Sequence, residues 1–131
     1  MGELREIYDI AGSDAEKVLA RFGGNEEMLK RFLCLFAQDS SFSELQAALA
    51  AGNTEEAFRA VHTLKGICAN LGFERLYEKA STMTEFLRRG ELENTKPLFP
   101  GFAEEYEKVM EALNQKRLRN GGAFGTKVIS D

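Results

Sequence analysis

Apolar residues recur every three or four positions along this chain, and glycines cut the recurrence into pieces too short to be stable alone. Ala57, Val61, Leu64, Cys68 and Leu71 stand four, three, four and three apart, which puts them on one face of a helix. No stretch of useful length shows the two-residue alternation of a half-buried strand. Breaks fall at Gly12, Gly23-Gly24, Gly52, Gly72, Gly90 and from Pro97 to Gly101, residue types that suit helix ends and turns. A single amphipathic helix cannot cover its own apolar stripe, so several joined by short connections must pack on one another. The expectation is an all-α fold: an antiparallel four-helix bundle with short N-terminal helices and a flexible C-terminal tail.

The local signals place the elements. Residues 3 to 10 suit a short leading helix, and Ser13 with Glu16 has the form of a capping box for a second short helix ending at Phe22-Gly23-Gly24. Asn25, followed by Glu26 and Glu27, opens a long segment to Ala51. Within it Met28, Phe32, Leu35, Phe42, Leu45 and Leu49 hold helical spacing, and Gln38-Asp39-Ser40-Ser41 interrupts them as an exposed turn or mild kink. Asn53 with Glu56 is a second capping box, opening a helix over 54 to 71 that Gly72 stops. Further helices are expected over 74 to 89 and 101 to 119, giving a domain at 1 to 119 and a flexible tail at 120 to 131.

Bulk properties narrow the function. A chain of 131 residues suits one domain. Its net charge of -4 disfavours nucleic acid as a partner. The basic run Lys116-Arg117-Leu118-Arg119 is expected to oppose the dipole of the last helix. The first residues lack the basic stretch and apolar core of a signal peptide, and no apolar run approaches membrane-spanning length. A cytoplasmic location without membrane contact is therefore expected. Cys34 and Cys68 sit in helical apolar runs and are expected as small core residues. With one histidine, and no CxxC or HxxxH spacing, no metal site is expected.

The helix over 54 to 71 carries the chemistry. His62, Lys65, Gly66 and Ala69 share a stripe beside the apolar seam. A lone helical histidine is more often a surface residue than a reactive one, and a lone lysine is ordinarily just solvated. Gly66 is harder to set aside, because glycine inside a helix costs about 1 kcal/mol relative to alanine. Its presence suggests close approach of another molecule to the backbone. Together the three suit a phosphoryl site: a neutral imidazole is a good nucleophile, an ammonium offsets phosphate charge, and an absent side chain leaves room for a protein donor. No GxxxxGK[ST] loop, kinase signature or carboxylate cluster for magnesium accompanies them. Such a histidine must take its phosphate from partners.

The stretch Ala60-Val61-His62-Thr63-Leu64-Lys65-Gly66-Ile67-Cys68-Ala69-Asn70-Leu71-Gly72 resembles the signature of the histidine phosphotransfer (HPt) family of two-component phosphorelays, in outline HxLKG followed by a Leu-Gly pair. The resemblance runs from Ser13 through Gln115 and implies an HPt-like bundle acting in signal transduction. It implies that His62 is the phosphoacceptor, on Nε2 by family habit, that Lys65 helps hold the phosphoryl group and that Gly66 permits docking. The implied partners are a response-regulator receiver domain, a hybrid sensor histidine kinase, or both. The chain would be a phosphocarrier rather than an enzyme, forming a transient phosphohistidine. No cofactor is expected on this chain, and Mg²⁺ is expected on the partner receiver. Many members carry Gln or Glu twenty-two positions after the histidine to hydrogen-bond the site. Here that position is Thr84, with Glu85 beside it, and either is expected to orient His62.

Partner docking is expected around His62, on Phe58, Arg59, Ala69, Phe73 and parts of the segments 13 to 22 and 25 to 37. Two other readings share the motif. One is an HPt-like docking module that grips a receiver or kinase without accepting phosphate. The other is a detached phosphotransfer domain of the chemotaxis-kinase type, phosphorylated in trans. A monomer is the default, since one chain supplies four bundle helices.

Overall fold

The computed structural model describes residues 2–119, with side chains through Lys116, so the tail expected over 120 to 131 lies outside the described residues. Helix α1 spans Gly2–Ala11, α2 Ala15–Arg21, α3 Glu26–Ala37, α4 Ser41–Ala51, α5 Thr54–Leu71, α6 Glu74–Arg88, α7 Leu92–Thr95 and α8 Phe99–Arg119. A 3-10 turn, η1, occupies Lys96–Leu98 between α7 and α8. Among the described residues there is no strand, and no helix is long and apolar enough to cross a membrane.

Local chemistry sets most of the ends. Asn25 Oδ1 accepts from the Met28 amide at 3.0 Å, and Asn53 Oδ1 from the Glu56 amide at 3.0 Å, each satisfying a donor the helix start leaves open. Gly72 ends α5 in the left-handed region at φ 76°. A Cβ there would meet Val18 Cγ2 at 2.3 Å, so Gly72 also lets α2 lie directly on the end of α5.

Four expectations change. The cap of α2 is Asp14, whose Oδ1 accepts from the Glu16 amide at 2.9 Å. Ser13 is drawn elsewhere: its Oγ accepts from the Glu74 amide at 3.2 Å, supplying the cap that Phe73 cannot give α6. The segment from Asn25 to Ala51 is two helices, so the interruption is the turn and not the mild kink. Asp39 Oδ2 accepts from the Ser41 amide at 2.9 Å at the break, and Ser41 is buried rather than exposed. Third, the break from Pro97 to Gly101 is helical. Pro97 and Pro100 stand in first turns, where a missing amide donor costs nothing. Finally, Lys116 is buried and ion-paired with Glu6, so it ties α8 to α1 instead of facing solvent at a helix end.

Helix α5 is the centre of the bundle. It packs most extensively on α4 and α6 through two-residue connections, while α8 closes the bundle against α1, α6 and α3. The expected seam of Ala57, Val61, Leu64, Cys68 and Leu71 is buried along its whole length. Burial pushes the Cys68 thiol up to about 12 from an ordinary 9.0, so it stays protonated and packs as a small apolar group. Cys34 is half-buried. Aromatic rings fill the space beyond the seam. Phe73 stacks on Tyr8 with centroids 5.1 Å apart and lies 5.6 Å from Phe36, while Phe42 stacks on Tyr106 at 4.0 Å. The Tyr8 hydroxyl donates to the Leu71 carbonyl at 2.6 Å, fixing the last turn of α5 to α1.

Candidate functional site

The spacing that buries the seam of α5 turns the neighbouring stripe outward. His62, Gly66 and Ala69 are exposed and Lys65 is half-buried, all on one side of a helix whose opposite side is core. Nothing lies within 4 Å of where a Cβ on Gly66 would stand. The intramolecular packing therefore gives no reason for glycine here, and the space is open to an incoming molecule. Lys65 makes no ion pair among the described residues, which leaves its ammonium available to an anion near His62.

The polar residues expected to orient His62 do not reach it. Thr84 is fully buried, and its Oγ1 donates to the Ala80 carbonyl one turn back at 2.6 Å. Glu85 faces solvent and pairs with Arg88 at 3.3 Å. Ser81, one turn earlier on α6, has a buried Oγ with no hydrogen-bond partner among the described residues. What does contact the imidazole is Phe58, one turn before it on α5. The two rings stack with centroids 5.6 Å apart and planes 18° from parallel, and the Arg88 guanidinium lies 5.2 Å from the Phe58 centroid. Sequence spacing held this signal, since residues four apart on a helix meet.

The expected docking residues separate into two groups. Arg59 is exposed beside His62 and pairs with Glu56, and Ala69 is exposed two turns along, its carbonyl accepting from Arg21 Nη1 at 3.0 Å. Phe73 is a correction: it is 0% exposed, wedged between Tyr8 and Phe36, so it supports the surface from beneath and cannot form it.

Met28, Phe32 and Leu35 carry the helical spacing noted in the sequence, on a segment expected to contribute to docking. They are 40%, 43% and 57% exposed, and the residues buried in α3 are Leu29, Leu33 and Phe36, each one position later. Two of the exposed set, Phe32 and Leu35, line a groove of about 520 Å³ with Phe22 and Ile67, and Arg21 and Asp39 are its charged members. Asn70 of α5 also lines it, eight residues beyond His62, or about 12 Å along the helix. The signal was present as adjacent apolar pairs, 28/29, 32/33 and 35/36, which give α3 more apolar surface than one face can bury.

Among the described residues no group of three or more His, Cys, Asp or Glu side chains is placed to hold a metal ion. Comparison with curated proteins and with solved structures gives no match. The family model for the Hpt domain matches residues 27–116, from the first turn of α3 to Lys116 in α8, leaving α1 and α2 outside it. That span contains the whole of α5 with its outward stripe and most of the bundle that presents it, and on this ground the chain belongs to the Hpt domain family.

Proposed function

We propose that this protein is a phosphorelay intermediate in which His62 accepts a phosphoryl group from, or donates it to, an aspartate of a response-regulator receiver domain. The observation that carries the reading is the outward stripe of α5: an exposed imidazole, an ammonium one turn on with no ion pair among the described residues, and open space over Gly66. In the accepting direction a P–N bond forms at Nε2 of His62. The P–O bond to the aspartate breaks, and the carboxylate leaves with the electron pair. Lys65 offsets the charge that arrives on the histidine. Positioning and charge stabilisation are most of what such a transfer needs. In this reading Mg²⁺ belongs to the partner receiver, and the phosphate originates with a hybrid sensor histidine kinase or another receiver.

The docking face has a polar and an apolar part. Arg59 and Ala69 flank His62, and the groove beside Phe32 and Leu35 lies close enough to fall under the same partner. A standard interface covers about 800 Å² on each side, a patch roughly 28 Å across, against about 12 Å along α5 from His62 to Asn70 at the groove. Exposed apolar side chains rimmed by charges are the composition such a patch requires.

Transfer of labelled phosphate from a phosphorylated receiver tests the relay, with the product examined for chemical stability. Label that is lost in acid and kept in alkali marks phosphohistidine; no label from any of several receivers or hybrid kinases overturns the reading. One observation favours a second reading, a docking module that never carries phosphate: Thr84 spends its hydroxyl within α6, and His62 makes no hydrogen bond among the described residues. Receiver binding with no transfer in any pairing would establish that module.

Gly66 separates docking from folding. Because a Cβ there meets nothing, Gly66→Leu is expected to fold at least as well as the parent, with a gain approaching ~1 kcal/mol from helix propensity. Its transfer rate from a receiver should fall on the order of tenfold or more, because a misplaced reacting atom is costly. Thermal melts with transfer kinetics check both halves. An unchanged rate would mean that no partner approaches over Gly66.

A further inference from the structure

The imidazole of His62 is exposed and makes no hydrogen bond among the described residues, yet transfer needs it held in one orientation. The contact that can hold it is the face of Phe58, stacked 5.6 Å away at 18°. We propose that Phe58 is a positioning residue for phosphoryl transfer, fixing the His62 ring by aromatic packing where a hydrogen-bonding side chain from α6 is lacking. This inference rests on the relay reading and assigns Phe58 work beyond bordering the docking face.

Three features give the stack its capacity to orient. Phe58 is half-buried and packs against the core cluster, so its own ring is restrained from below. Arg88 of α6 sets its guanidinium 5.2 Å from the centroid of the same ring and is itself paired with Glu85, so a second helix holds Phe58 in place. A near-parallel stack also confines the imidazole plane while leaving the ring edge free, and the edge carries both nitrogens. A hydrogen-bonding partner would instead occupy one nitrogen and fix the tautomer. The stack restrains orientation alone.

The test uses the full chain with Phe58→Leu, which keeps apolar volume but removes the ring face, and Phe58→Tyr, which restores the face. Two quantities are read: the transfer rate from a labelled phospho-receiver across receiver concentrations, and the proton shifts of the imidazole. The chain has a single histidine, so those signals belong to His62. In Phe58→Leu the saturating transfer rate should fall about five- to tenfold, the scale of a lost orientation, with the half-saturating concentration changed less than about twofold. The imidazole signals should move downfield as ring-current shielding is lost, and Phe58→Tyr should restore both readouts. Unchanged imidazole shifts in Phe58→Leu overturn the proposal, as does a rise in half-saturating concentration without a fall in rate, which would make Phe58 a docking contact only. If the wild type accepts no phosphate, the relay reading fails and this inference with it; normal wild-type transfer with an undiminished Phe58→Leu rate sinks this inference alone.

Discussion

His62→Gln is expected to lose phosphoryl acceptance altogether, a fall on the order of 10³-fold or more, the scale seen when a nucleophile is removed. The fold should survive. His62 is exposed in the middle of α5, its neighbours on the seam are buried without it, and glutamine is at least as good a helix former. What the substitution removes is the stack on Phe58, worth roughly 0.5–1.5 kcal/mol. A melting temperature close to that of the parent, together with absent label, would separate chemistry from stability. Receiver affinity should persist, because the groove beside Phe32 and Leu35 and the open space over Gly66 are untouched. Label retained on His62→Gln would place the phosphoryl group elsewhere and end the relay reading in its present form.

The histidine helix was legible in the sequence because its signals are local. Asn53 caps α5 and Gly72 stops it, and the seam between them has one consistent period with nothing competing. Helix α3 lacked that uniqueness. Its apolar residues come in adjacent pairs, so two stripes offset by one residue, or 100° around the helix, satisfy the period equally well. Only the partners that α3 meets decide which stripe is buried. Leu29, Leu33 and Phe36 face the core, and Met28, Phe32 and Leu35 are left outside. Spacing alone therefore could not say which side of α3 is left exposed near His62.

Long-range competition accounts for the other differences. Ser13 and Asp14 are both good caps for α2. The choice falls to Asp14 because the Ser13 hydroxyl meets the Glu74 amide, a contact across sixty-one positions that no local pattern encodes. Counting from His62 to Thr84 reached the helix that packs on α5, yet residue type decided the outcome. A threonine hydroxyl is short enough to bond its own helix at Ala80, where a longer Gln or Glu would extend beyond it. Sequence therefore placed His62 on the outward stripe of α5, but did not show which ring it packs against.

Phe73→Ala is expected to cost about 3–5 kcal/mol, the range for truncating a buried aromatic side chain. The ring is 0% exposed and contacts Tyr8 at 5.1 Å and Phe36 at 5.6 Å, so its loss leaves a cavity among three helices. Those helices cannot close it freely. The Tyr8 hydroxyl is committed to the Leu71 carbonyl, and the backbone of Phe73 joins α5 to α6 immediately after the left-handed Gly72. A domain of this size has about 5–15 kcal/mol of stability in all, so the variant should denature at markedly lower urea or temperature. Where it remains folded, transfer from a receiver should stay near the parental rate, because Phe73 presents nothing to a partner. The two readings of this residue thus predict opposite pairs of results. A variant that melts like the parent but accepts phosphate slowly would return Phe73 to the docking face; one that melts early but transfers normally while folded makes it the core support beneath that face.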